Sequence, residues 1–369
     1  MDKQYSFFAP GRVNLIGEHI DYNGGLVLPI AIKQGIKAKV AFNSDGIISI
    51  QSAQIEGVFK WNLSNENHPK SGDWTDYAKG IIKTLKEANY SLQGCTIDLE
   101  SSLPVGSGLS SSAALELLLA YILINNRDAA DKAILAQLAQ KAENEFVGVN
   151  CGIMDQFAVA MGKKEQAILL DCNTLNYQYV PFNLGDYQLV IINSKMPRTL
   201  AGSAYNERRH ECEQALKIIS EHKTIKALVD ADITDLQFIK DSMIRQRVKH
   251  VISEQQRVLK AVDTLKNGQL PTFGQLMFES HISLKNDYAV SSDGLDFIVD
   301  FGANFDGCLG SRLTGAGFGG CCIALVHNKK IEAYKNQLGN LYQKRFSLDL
   351  EFLISQAEDG VKFNKRRRS

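Results

Sequence analysis

The sequence predicts an α+β protein of two domains, and three observations carry that prediction. Strand and helix patterns are mixed, without the regular βαβ alternation of a doubly wound sheet. Helices dominate only from Ser203 onward. The 369 residues are enough for two substantial cores. No Pro/Gly-rich linker separates the halves, and the boundary is placed near 185, giving domains 1–185 and 186–369.

The elements follow in order. Between residues 5 and 60, β-leaning runs at 5–8, 13–16, 26–32, 36–42 and 47–51 read as strands. Turn chemistry separates them at Asn23-Gly24-Gly25 and Ser44-Asp45-Gly46. Tyr77, Ile81 and Leu85 recur at helical spacing, so 73–89 is a helix. A strand at 95–100 leads into a glycine- and serine-rich segment and a helix that is apolar on nearly every side, hence buried. Asp128 can cap a further helix reaching about Phe146, with Leu135, Leu138, Ala142 and Phe146 on one stripe. Residues 151–162 are helical again, and 167–171 and 187–193 return to strand. Helices then cover 203–221, 233–266, 271–285 and 292–302. A strand pair around 310–314 and 321–326 and a helix at 329–345 close the chain. The charged helix 233–266 reads as a solvated face, and Lys365-Arg366-Arg367-Arg368 as a solvated tail.

Composition excludes several classes of function. With 44% apolar and 22% charged residues the chain is an ordinary globular protein. Lys plus Arg (41) balances Asp plus Glu (41), so no global field draws it to nucleic acid or to an anionic membrane. A nucleotide bound here must be gripped by local groups. Seven cysteines, odd in number and without C-x-x-C spacing, argue against a disulfide framework and a zinc site. Met1-Asp2-Lys3-Gln4-Tyr5 has no apolar leader character and no apolar run is long enough to span a membrane, so a cytoplasmic location is expected.

Four stretches carry chemistry. The first is Leu103-Pro104-Val105-Gly106-Ser107-Gly108-Leu109-Ser110-Ser111-Ser112-Ala113-Ala114. Its glycines let backbone approach a ligand, and its serines open a helix, whose free N–H groups and dipole favour an anion. It lacks the Gly-Lys-Ser/Thr ending of a Walker A loop. The second, Gly315-Ala316-Gly317-Phe318-Gly319-Gly320, matches a dinucleotide fingerprint only superficially, because the β-leaning Cys321–Val326 follows where a helix should begin. It is either a tight turn between strands or a second backbone loop against a ligand. The third, Gly11-Arg12-Val13-Asn14-Leu15-Ile16-Gly17-Glu18-His19-Ile20-Asp21-Tyr22, crowds an arginine, two carboxylates and a histidine between apolar strands. In isolation a hairpin tip would explain it. Ionised groups so close to buried strands nevertheless need partners, and a polyhydroxylated ligand supplies them. Arg12 can only donate, which suits a phosphoryl group. The fourth places Asp155 among Ile153, Met154 and Phe157. It is either a helix-capping residue or a carboxylate held beside a cation such as Arg12, able to take the proton of an attacking hydroxyl.

Together these stretches resemble the GHMP small-molecule kinase superfamily and, within it, the galactokinases. Residues 9–22 are similar to the galactokinase signature, which more usually has Thr at position 20. Residues 104–114 resemble the superfamily's phosphate loop and 315–320 its third motif. The resemblance continues through Asp73-Trp74, from Asn193 to Arg208, and through Ser280–Tyr288, so it covers most of the chain. It implies an N-terminal domain of ribosomal-protein-S5-domain-2-like fold, a ferredoxin-like C-terminal domain and an active site between them. The implied reaction is ATP-dependent phosphorylation of D-galactose at the anomeric hydroxyl, by a monomer, giving α-D-galactose 1-phosphate and ADP. Rival acceptors are N-acetylgalactosamine, which Ile20 favours weakly, and arabinose. A non-catalytic sugar sensor is disfavoured because Ser110-Ser111-Ser112-Ala113-Ala114 is complete.

Residue by residue, the resemblance implies Asp155 as catalytic base and Arg12 as the group stabilising developing charge. Glu18, His19, Ile20, Asp21, Gly152 and Tyr205, with Asp155, would bind the sugar. Gly106, Ser107, Gly108, Leu109, Ser110, Ser111 and Ser112 would wrap the ATP phosphates, and Trp74 would lie against the adenine. Ser112 and Glu143 would hold Mg²⁺, which takes few protein oxygens beside phosphate and water. Spacing does not choose between Glu143 and Glu145, which lie at opposite edges of one helix stripe; the resemblance does. Arg198 stands where relatives often carry His.

Overall fold

The computed structural model describes residues 4–65, 69–104, 106–125, 129–197 and 201–364. Asp128, Arg198 and the basic segment 365–368 lie outside them.

The first strand, β1 (Gln4–Asn14), runs through two predicted ones; a short β2 (Leu26–Val27) precedes the still longer β3 (Pro29–Phe42). The gaps left between predicted strands at 9–12 and 33–35 are not breaks in the structure. A Cβ on Gly35 would stand 2.2 Å from the Ala9 carbonyl oxygen, so this glycine permits close pairing rather than ending the strand. β4 (Ile47–Ser52) and β5 (Ile55–Asn62) form a hairpin. After α1 (Thr75–Glu87), β6 (Cys95–Ser101) returns parallel to β4.

Next comes α2 (Ser111–Leu123), buried along nearly its whole length as its apolar sequence predicts. α3 (Lys132–Lys141) begins at Asp131, whose side chain accepts hydrogen bonds from the amides of Ala133 and Ile134. It passes into a π-turn at Ala142–Val147, and α4 (Met154–Met161), β7 (Gln166–Asp171) and β8 (Tyr177–Pro181) follow.

The second half comprises β9 (Tyr187–Asn193), α5 (Ala201–Ser220), α6 (Ser242–Lys266), α7 (Leu270–Asn286) and α8 (Asp293–Ala303). It continues with β10 (Cys308–Thr314), β11 (Cys321–His327), α9 (Ile331–Phe346), β12 (Glu351–Ser355) and β13 (Lys362–Asn364). The single helix expected over 233–266 is divided. A 3₁₀ turn occupies Ile233–Phe238, and Asp241 restarts the helix by accepting from the amides of Met243 and Ile244.

Among the described residues the strands form three sheets: β13-β1-β3-β6-β4-β5, β2-β7-β8 and β10-β11-β9-β12. In the third sheet, counted in chain order, the third strand lies beside the first and the second lies beyond it, with the fourth on the first strand's other side. That is the split β-α-β-β-α-β arrangement of ferredoxin-like domains. The architecture is α+β, as expected. The boundary placed near 185 falls between β8 and β9, but β13 pairs antiparallel with β1, so the end of the chain rejoins the first sheet. All seven cysteines are free thiols, and among the described residues no helix is long and apolar enough to cross a membrane.

Candidate active site

The site begins at an irregularity in β1. Its register against β3 shifts between Pro10 and Arg12, and such a bulge re-aims a side chain. A Cβ on Gly11 would lie 2.7 Å from the Leu109 carbonyl oxygen, so strand and glycine-serine loop touch backbone to backbone. The Arg12 amide donates to Leu109 O at 3.2 Å, and its Nη1 donates to Gly108 O at 2.8 Å. Its Nε and Nη2 reach the two carboxylate oxygens of Asp155, each at 2.6 Å. Ser110 Oγ donates to Asp155 Oδ2 at 2.5 Å, from a residue held at φ 60°. Arg12 is buried and Asp155 partly open to the cleft, with side-chain exposures of 6% and 27%. The result is a carboxylate fixed in orientation, with a positive fork behind it.

Within the loop, Ser107 donates its hydroxyl to Pro104 O at 2.7 Å, and Leu109 is buried in the core. The side chains of Ser107, Leu109 and Ser110 are thus engaged internally. The groups left to face an anion are the backbone near Gly106 and Gly108, the start of α2, and Ser111, while Ser112 turns to Glu143.

A cleft of about 340 Å³ brings together Arg12, Glu18, His19, Asp21, Glu143, Gly152, Asp155 and Tyr205. Ligand sites run from about 300 to 1,000 Å³, so this one suits a small molecule. Ile20 is a correction: its side chain is fully buried and does not line the cleft. The reason is local, because a Cβ on Gly25 would meet Ile20 Cβ and Cδ1 at 2.9 Å, and that glycine lets Ile20 fold inward. Trp74, at the start of α1, packs edge-on against Phe59 at 5.1 Å, and its Nε1 is buried without a hydrogen-bond partner among the described residues.

Hydrogen bonding fixes the His19 tautomer. Its Nε2 lies 3.1 Å from Ala316 O, which can only accept, so Nε2 carries the proton. Burial drives the ring's pKa down to about 3, so it is neutral and Nδ1 accepts from Tyr22 OH at 2.9 Å. Tyr22 in turn accepts from Tyr288 OH at 2.9 Å, and Tyr288 accepts from the Cys212 thiol at 3.1 Å. Tyr205 closes this side, with its ring 5.6 Å from His19 and 5.4 Å from Tyr22.

Asp21 sits on a 3₁₀ turn opposite Gly152. Burial, and then the charge of Asp155, push its pKa up to about 7. It is therefore ionised above that pH and protonated below it. A protonated Asp21 loses acceptor capacity toward a sugar diol. At saturating nucleotide, kcat/KM for the acceptor is expected to fall as pH drops through about 7, and Asp21→Asn to remove that limb of the profile. A profile flat from pH 6 to 8 would refute this.

Glu143 projects from the π-turn, a distortion frequent at functional sites. It receives hydrogen bonds from Ser112 and from Gln156 Nε2, the latter at 2.6 Å. Burial raises its pKa to about 7, and raises that of fully buried Glu116 well above the usual carboxylate range. Glu116 Oε1 and Gln156 Oε1 have no partner among the described residues. Two carboxyls buried this close fit a nearby cation. Among the described residues no group of three or more His, Cys, Asp or Glu is placed to hold a metal ion.

Sequence reasoning missed Glu116, Arg312 and the role of α6. The helix is not merely a solvated face. His250 Nε2 donates to Glu18 O at 3.1 Å, Glu254 Oε1 accepts from the Gly17 amide at 2.9 Å, and Gln255 Oε1 accepts from the Leu26 amide at 2.9 Å. One stripe of α6 thereby clasps the backbone of residues 17–26. Buried His250 and Glu254 lie among Val248, Val251 and Val258, and polar residues in an apolar stripe were the available signal.

Fold and site together define a GHMP kinase. The family model described as GHMP kinases N terminal domain matches residues 76–163, and that described as GHMP kinases C terminal matches 261–344. The galactokinase galactose-binding signature matches residues 2–41. The chain is 46% identical over 362 residues to a galactokinase of Clostridium tetani, covering 96% of this chain and 92% of the relative. It is 42% identical over 364 residues to a galactokinase of Bacillus subtilis, covering 96% and 93%. The crystal structure of Lactococcus lactis galactokinase complexed with galactose superposes with a TM-score of 0.93 at 38% identity, over 98% of this chain and 95% of that one. Methanococcus jannaschii mevalonate kinase, at 22% identity and a TM-score of 0.66, shares the fold. The chain belongs to the galactokinase family.

Proposed function

We propose that the protein transfers the γ-phosphoryl group of ATP to the anomeric hydroxyl of D-galactose, giving α-D-galactose 1-phosphate and ADP. The observation that carries the reading is the Asp155 carboxylate. Arg12 grips it on both oxygens, and it opens into a cleft walled by Glu18, His19, Asp21 and Tyr205. Asp155 receives the hydroxyl proton and sets the line of attack, while Arg12 and the serine loop offset charge on the transferring group. Carboxyl groups and a neutral imidazole suit a ring of hydroxyls, which both donate and accept.

The ATP phosphates lie over the start of α2, where loop amides and the helix dipole favour an anion. Trp74 borders the adenine. Ser112 and Glu143 would hold Mg²⁺, which when bound neutralises phosphate charge. Residues 1–185 supply the sugar loop and the phosphate loop, and 186–369 supply Tyr205 and the third glycine loop.

The test is ADP release by purified protein with MgATP and galactose, N-acetylgalactosamine, arabinose, glucose or 2-deoxygalactose. Galactose is expected to give the highest kcat/KM. Turnover confined to N-acetylgalactosamine would move the acceptor, and binding without turnover of any sugar would make the protein a sensor.

A further inference from the structure

Arg312, on β10, is fully buried. Its Nη1 donates to Asn14 O at 2.9 Å and stands 3.5 Å from Glu18 Oε1. Its Nε and Nη2 have no hydrogen-bond partner among the described residues. A guanidinium taken out of water with two of its three nitrogens unpaired is a poor stabiliser, because its desolvation is not repaid by hydrogen bonds. Folding stability alone does not account for an arginine here.

Its neighbours point to the cleft. Buried Glu18 accepts from the Gly315 amide at 2.7 Å and from Asn14 Nδ2 at 3.1 Å. The Asn14 amide donates to Thr314 Oγ1 at 3.0 Å. Glu18 thus joins the end of β1 to the turn after β10, the turn whose Ala316 carbonyl fixes His19. Burial works against the charge of Glu18, and Arg312 is the foremost of the groups that oppose this, ahead of Arg12. The other buried carboxylate within its field, Glu254, already has Arg257 at 2.7 Å and Ser280 at 2.6 Å.

We propose that Arg312 is a positioning residue for the acceptor: from beneath the cleft it holds Glu18 and the Gly315–Ala316 turn in the arrangement that receives the sugar, at a cost in stability. This rests on the placement of Glu18 in the acceptor site. The test compares Arg312→Met, Arg312→Lys, Glu18→Gln and the Arg312→Met/Glu18→Gln double variant, reading galactose KM, ATP KM, kcat and thermal midpoint. Arg312→Met is expected to raise galactose KM at least about tenfold, with ATP KM and kcat within about threefold and the thermal midpoint unchanged or higher. Arg312→Lys should recover most of the loss, and the double variant should be no worse than Glu18→Gln alone.

Unchanged galactose KM in a folded Arg312→Met protein would overturn the proposal. So would an unfolded variant, or both KM values rising together with a fallen midpoint, because a structural role would then explain the residue. Unchanged galactose KM in Glu18→Gln would remove the placement of Glu18 itself, and with it the proposal.

Discussion

Asp155→Asn is expected to lower kcat by about 10³-fold or more while leaving galactose affinity within about threefold. The substitution preserves shape, so the cleft wall stays in place and the sugar still finds its other partners. What changes is chemistry. An amide cannot take the hydroxyl proton, and its NH₂ group must now face Arg12 Nη2 and Ser110 Oγ, or Arg12 Nε, all of which donate to the carboxylate. The positive fork of Arg12 then lacks its counter-charge and is drawn to the phosphates instead. ADP-release kinetics and calorimetric titration with galactose separate the two effects. A kcat within tenfold of the parent would remove Asp155 from the chemical step.

Gly152→Ala produces a different kind of loss. The position does not need a left-handed backbone, since its φ is not among the positive ones, so alanine is conformationally acceptable there. The added Cβ would lie 1.8 Å from Asp21 Oδ2 and 2.5 Å from its Cγ. Asp21 must swing aside, taking its carboxylate out of the acceptor wall. We expect galactose KM to rise about 30-fold or more, with kcat reduced far less and the thermal midpoint nearly unchanged, because the clash falls on a side chain at the cleft rather than on core packing. A KM within threefold of the parent would show that Asp21 is dispensable for binding.

The parts of this site legible in the sequence are those whose logic is local. The serine loop combines glycines, capping hydroxyls and an apolar helix within fifteen residues or so, and Gly11–Tyr22 concentrates its charges in one turn. Arg312 and Glu254 were not legible in this way, because their partners Glu18 and Gly17 lie hundreds of positions away in the chain. A charged residue inside an apolar stripe announces that it has a partner without saying where. Glu116 gave the same signal inside α2, a helix otherwise apolar, and its partners Glu143 and Gln156 come from the π-turn and α4. Local punctuation also misled. Gly11 and Gly35 fall in the gaps between predicted strands and instead allow close backbone approach within continuous ones, while Asp241 divides the helix expected over 233–266. Ile20 was assigned to the sugar from its place in a motif, and the absence of a Cβ on Gly25 leaves the space in which it packs inward.

The pairing of β13 with β1 sets Ser6 against Asn364 and Phe8 against Lys362. During synthesis β1 emerges hundreds of residues before β13, the strand that covers its outer edge and that follows every other described element. Until that strand arrives, β1 presents an open row of amides and carbonyls next to Phe7, a template for pairing with neighbouring nascent chains. Completion of the sheet therefore waits for β13. Chaperone demand and inclusion-body formation on overexpression should respond to substitutions in Lys362–Asn364 that leave the finished cleft untouched.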